Sequence, residues 1–68
     1  MEYVVIIEQG ETSFGAYVPD LPGCVAVGEN REETMDLIRE AIELHIENLR
    51  ENGDPIPSPH SFVEKVAV

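Results

Sequence analysis

Basic residues are scarce. Four Lys and Arg stand against fourteen Asp and Glu, a formal charge of −10. A surface of that sign repels nucleic acid phosphate, whose binding proteins carry clustered cations, and it repels anionic lipid for the same reason. It suits plain solubility or a basic protein partner. Cysteine is scarcer still. Cys24 stands alone, so no internal disulfide forms and a zinc site of four cysteines, or of a cysteine pair and a histidine pair, is excluded. Small secreted folds usually carry several cysteines, so the compartment read from the sequence is a reducing cytoplasm. Long apolar runs are missing: the longest, Tyr3 to Ile7, has five residues, against the ~20 of a membrane helix. No basic stretch followed by an apolar one opens the chain, so no secretory signal is read. A chain of this size buries only roughly 60% of its unfolded surface, which leaves no room for a deep, self-contained active-site cleft. What is present is a globular share of hydrophobic residues, 43%, so disorder is not indicated.

Residues 2–8 are β-branched and aromatic and stop at Gln9-Gly10, the pattern of a strand. Tyr3, Val5 and Ile7 share one face, Val4 and Ile6 the other. Both faces are apolar, which predicts an interior strand covered on both sides. Residues 13–18 form a second strand, with Phe14, Ala16 and Val18 on one face. Pro19-Asp20-Leu21-Pro22-Gly23 is a stiff turn, because its prolines lack N–H groups. Cys24 to Val27 returns as a third strand ending at Gly28.

Asn30 is a good helix N-cap, Glu33 stands where a capping box has its acid, and Glu32 and Glu33 suit the positive end of the dipole. Gly53 and then Pro55 stop the helix. The spacing predicts a helix over 31–52, roughly 33 Å long. Met35, Leu37, Ile38, Ala41, Ile42, Leu44, Ile46 and Leu49 cover an arc of ~200°, whereas a helix lying on one sheet needs little more than ~100°. The surplus argues for burial against something else, most simply another chain. After the proline-rich 54–59, residues 62–68 alternate and read as a final strand.

The expected class is therefore α+β, in the order β-β-β-α-β. One helix packs on a four-stranded mixed sheet whose right-handed crossover gives the spatial order 3-2-1-4. The uncovered sheet face and two edge strands again point to self-association into a dimer or higher oligomer. This arrangement resembles the front half of a ribonuclease H fold. Those nucleases place a metal-binding Asp within the first strand, where this chain has no carboxylate from Tyr3 to Ile7, so two-metal hydrolysis is not supported.

Candidates for chemistry are thin. His45 lies within the apolar arc without a Ser, Cys or second His on its face, and reads as a packed residue. His60 follows the prolines and reads as solvated. Cys24 has no cationic neighbour to lower its pKa and reads as a small half-buried residue. No cofactor and no metal site are expected. The acidic ridge of Glu32, Asp36, Glu40, Glu43, Glu47 and Glu51 contains like-charge i,i+4 pairs, each destabilising by a few tenths of a kcal/mol. It is either a solvated face or a docking site for a basic partner.

Tyr3–Ile7, then Phe14-Gly15-Ala16-Tyr17-Val18-Pro19-Asp20-Leu21-Pro22-Gly23-Cys24, Gly28-Glu29-Asn30-Arg31-Glu32-Glu33 and Arg39-Glu40-Ala41-Ile42 together resemble the HicB-like antitoxin family. The resemblance covers residues 3 to about 57, including Pro55-Ile56-Pro57. It implies a partial ribonuclease H-like fold without nuclease activity, and a role in neutralising HicA, a small basic toxin that cleaves mRNA. Many members of the family also carry a DNA-binding domain after this one. Residues 1–68 are read as a single HicB-like domain without it, hence with no direct nucleic acid contact.

Together these readings predict a non-enzymatic, cytoplasmic, self-associating antitoxin domain that binds a basic HicA-type toxin. Two surfaces compete for the partner contact. One is the ridge, at Glu43, Glu47 and Glu51, where complementary fields would speed encounter. The other is the turn, at Asp20, Leu21, Pro22 and Cys24, whose preset backbone makes docking entropically cheap. The alternative is a small-ligand-binding or regulatory domain with no toxin partner.

Overall fold

Phe14 to Tyr17 is the strand with partners on both sides. In the computed structural model, which describes residues 1–68, the elements run β1 (Ile6–Gln9), β2 (Phe14–Tyr17), β3 (Val25–Gly28) and α1 (Arg31–Glu51). Both pairings are antiparallel. Ile7 faces Ala16 and Ala16 faces Ala26, while Ile6 faces Tyr17 and Tyr17 faces Val25. Strand alternation then sorts the side chains. Val5, Ile7, Ala16, Val18 and Ala26 belong to the core, and Val25 and Val27 lie exposed on the other side. A tight turn, with the Gly10 N–H donating to the Ser13 carbonyl at 2.8 Å, joins β1 to β2.

The turn between β2 and β3 folds back under the sheet. The Leu21 and Cys24 amides donate to the Val18 and Leu21 carbonyls, each at 3.1 Å. Gly23 supplies the left-handed residue, with φ +84°, which costs glycine nothing sterically. This geometry drives Leu21 inward until none of it is exposed. With Ala16, Val18, Cys24 and Ile38 it forms the buried core, flanked by Tyr3, Met35, Ala41 and Ile42 among others.

The helix starts and stops as its caps dictate. Asn30 Oδ1 accepts from the Glu33 N–H at 2.8 Å. The reciprocal bond of the capping box goes one residue further out, from the Glu29 N–H to the Glu33 carboxylate at 3.1 Å. At the far end Gly53 has φ +70°, and the Gly53 and Asp54 amides donate to the Arg50 and Leu49 carbonyls. That pair of bonds is a Schellman motif, which satisfies carbonyls the helix end would otherwise leave unpaired. The helix lies over β3 and β2 rather than β1. Thr34 and Ile38 are its buried residues, and Leu44 is 60% exposed.

The α+β class holds, with three antiparallel strands and one helix, but two finer expectations need correction. The sheet has three strands in the order β1-β2-β3, not four in the order 3-2-1-4, and residues 62–68 form no strand. They lie exposed after residue 61, Phe62 to 89%. In consequence β1 is an edge strand, not an interior one. The reason is positional. Alternation prepares a segment to pair but does not say where it will lie, and the chain just before residue 62 is fastened to the β2–β3 turn.

Candidate functional site

That fastening is the most developed polar site of the molecule. Asp20 sits between Pro19 and Pro22 in a turn pulled inward by Leu21, so its carboxylate is almost wholly buried, with side-chain exposure of 1%. A buried carboxylate needs donors, and the segment following the proline-rich loop provides them. The His60 and Ser61 amides donate to Oδ2 at 2.8 and 3.0 Å. The Ser61 hydroxyl donates to Oδ1, and His60 Nε2 lies 3.1 Å from the same oxygen. Further back, the Tyr3 hydroxyl donates to the Pro57 carbonyl. The loop after the helix is thus stitched across the end of β1 and β2.

An Asp, a His and a Ser in contact invite comparison with a hydrolase triad. The connectivity differs. There the imidazole stands between carboxylate and hydroxyl and takes the hydroxyl proton. Here both His60 and Ser61 bind Asp20 directly, so no imidazole stands between the carboxylate and the Ser61 hydroxyl. The arrangement is a clamp on the chain. Elsewhere, nowhere do three His, Cys, Asp or Glu side chains gather as a metal cage, and burial pushes the Cys24 thiol pKa up, away from nucleophilic chemistry.

The clamp has a pH signature. The Ser61 hydroxyl bond, the His60 and Ser61 amides and the charge of His60 together hold the Asp20 carboxyl below its usual range, against the opposing effect of burial. A carboxyl whose folded pKa is depressed stabilises the fold above its unfolded value, ~3.9, and that contribution is lost as pH falls through the folded value. Around neutrality Asp20 should therefore add no pH dependence, and the clamp should open only in acid. Asp20→Asn should speed hydrogen exchange at the His60 and Ser61 amides at neutral pH and abolish the acid transition at those amides, as read by NMR. Unchanged protection of both amides would dismiss the clamp.

The two predicted contact surfaces are separate. In the turn, Asp20, Leu21 and Cys24 are buried, while Pro19, Pro22 and Gly23 are exposed. On α1, Glu43, Glu47 and Glu51 are all exposed and none has a cation within 4.0 Å. The helix's single ion pair is Arg39–Asp36 at 3.6 Å, an exposed pair that contributes little. Beside the ridge, Ile42, Ile46, Glu43, Glu47 and Arg50 line a shallow hollow of about 450 Å³. His45 is half-buried, in keeping with the packed reading. The sequence predicts a solvated His60. Its ring is 72% exposed, yet its backbone and Nε2 hold Asp20. The only forewarning was Asp20 itself, a carboxylate inside an apolar, proline-bounded turn.

No helix is long and apolar enough to cross a membrane. No solved structure matches the chain significantly. Curated relatives do. An uncharacterised 14.9 kDa protein of Haemophilus phage HP1 is 37% identical over 66 residues, which are 97% of this chain and 50% of that protein. A UPF0150 protein of Thermoplasma acidophilum is 40% identical over 58 residues, 84% of each chain. Antitoxin HicB 2 of Photorhabdus laumondii is 31% identical over 68 residues, 94% of this chain and 49% of that one. The chain thus spans about half the length of the phage protein and of HicB 2, and most of the UPF0150 protein. The family profile described as HicB_like antitoxin of bacterial toxin-antitoxin system matches residues 3–67. With the capped helix and the Pro-Asp-Leu-Pro-Gly-Cys turn in place, this chain belongs to the HicB-like antitoxin family.

Proposed function

We propose that this protein neutralises a basic, mRNA-cleaving toxin of the HicA type by direct protein–protein contact, acting as a self-associating cytoplasmic antitoxin domain without catalysis of its own. The carrying observation is the unpaired row of Glu43, Glu47 and Glu51 beside the hollow lined by Ile42 and Ile46. Folding gives no reason for it, since like charges at i,i+4 destabilise a helix. A basic partner would relieve the repulsion and set an apolar side chain against the isoleucines. Such a ridge also competes for the cations with which a toxin would hold RNA phosphate. Pro22, exposed on the rigid turn above Asp20, Leu21 and Cys24, offers a second contact on the same partner.

Glu47→Lys tests this cleanly. It turns the 43/47 and 47/51 pairs from like to opposite charge, so the helix should be retained or strengthened. Association with a basic toxin of the HicA type should slow by roughly tenfold at low salt, because electrostatic steering is lost, and the wild-type rate should fall as salt is added. Binding indifferent to both Glu47→Lys and salt would remove the ridge from the interface. The absence of any basic toxin partner would defeat the proposal as a whole.

A further inference from the structure

Residues 62–68 and the free edge of β1 are each incomplete in a way the other would repair. The segment alternates like a strand, yet Phe62 and Val66 are 89% and 82% exposed and nothing pairs with it. β1 is an edge strand, with unpaired backbone donors and acceptors along its outer side. On the helix side of that edge α1 contributes only its first residue, and Val5, Ile7, Gln9, Phe14 and Arg31 line an open trough of about 350 Å³. The edge of β3 offers no such space, because α1 lies over it.

We infer that this segment of one protomer adds as a strand to the β1 edge of a second copy of the chain, and that the exchange is reciprocal. The segment does not pair with its own β1: the chain passes Tyr3 at Pro57, is clamped at His60 and Ser61 to Asp20, and then forms no strand on either edge of its own sheet. Charge selects the face. Arg31, at the trough, and Glu8, on the opposite face of β1, are both exposed and without ion pairs. Phe62, Glu64, Val66 and Val68 share one face of the segment, and Val63, Lys65 and Ala67 the other. With the first set in the trough, antiparallel pairing of Lys65 with Glu8 sets Val66 beside Ile7, Val68 beside Val5 and Glu64 at the Gln9–Arg31 end. Both charge pairs and the apolar residues Val66 and Val68 match in this one register, with Phe62 beyond the end of β1 opposite Glu11, and a shift by one residue breaks the matches. Two added strands also give the dimer the main-chain hydrogen bonds of a continuous sheet.

This inference rests on the self-association proposed above and is tested separately from it by sedimentation of the full chain at micromolar concentration. The wild type should be a dimer. Val66→Asp should raise the dissociation constant at least ~tenfold while leaving the helical circular dichroism intact, since Val66 packs on nothing in its own protomer. Lys65→Glu and Glu8→Lys should each weaken the dimer, and the double exchange should restore it. A dimer insensitive to Val66→Asp, or a double exchange that restores nothing, overturns the strand exchange while leaving self-association through another face. A monomer at every concentration overturns both. Toxin capture through Glu47 is unaffected by either result.

Discussion

Ile38→Ala should remove most of the protein's stability. Ile38 is the one apolar side chain of α1 with no exposure at all, and it is the helix's contribution to a core otherwise made by Ala16, Val18, Leu21 and Cys24. Truncating a fully buried Ile to Ala costs about 2–5 kcal/mol, transfer and cavity terms together. At ~0.05–0.15 kcal/mol per residue, a domain this small has roughly 3–10 kcal/mol in all. The thermal midpoint should fall by about 8–40 °C, given ~4–8 °C per kcal/mol at this size. Leu21→Ala should behave alike, because the turn rather than a strand seats Leu21 in the same core. Leu44→Ala, 60% exposed on the same helix, should stay within ~0.5 kcal/mol. Urea denaturation of the three variants decides the matter. A cost below about 1 kcal/mol for Ile38→Ala would mean that the helix is anchored elsewhere.

Gly28→Ala should be the second severe change, and for the opposite reason. A Cβ at residue 28 would lie 2.5 Å from Thr34 Oγ1, 3.0 Å from the Thr34 nitrogen and 3.1 Å from its Cα. The hydroxyl is not free to swing aside: it donates to the Asn30 carbonyl at 2.7 Å, and Thr34 is fully buried. Nor can the backbone atoms yield without lifting the first turn of α1 off the end of β3. Overpacking of this kind costs about 1–3 kcal/mol and can exceed that where backbone must shift. Thr34→Ala in the same molecule should recover only part of the loss, since the backbone contacts persist. Gly15→Ala is the control: nothing stands within 4 Å of its Cβ position, so it should be neutral or mildly stabilising in a strand. Full stability of Gly28→Ala would show that strand and helix can separate here without cost.

The Gly28–Thr34 contact also marks where sequence reading stops. Gly28 was legible as the end of a strand, and Asn30 and Glu33 as the start of a helix, because strand-end and capping signals are local. That the glycine is needed for a close approach to Thr34, and that a Thr rather than a Leu is among the most buried residues of the helix, depends on how closely the helix N-terminus lies over β3. The apolar arc named Ile38 as a core position along with seven others. It could not rank Ile38 above Leu44, because ranking requires knowing that the helix crosses β2 and β3 and leaves β1 bare.

By itself the sequence determined what periodicity and capping control: three short strands within two residues of their observed bounds except at the start of β1, a helix ending within one residue of its predicted stop, the α+β class, and the family through the turn and the helix start. Each of these is encoded within a few neighbouring residues. Tertiary structure alone decided the rest. Asp20, read from the sequence as a partner contact, also anchors residues 60 and 61, forty positions away. Residues 62–68, directly after the clamp, have every local mark of a strand and no strand partner within their own chain. Pairing and burial are relations between distant segments. A local pattern states what a segment can do, and the rest of the fold decides whether a partner is within reach.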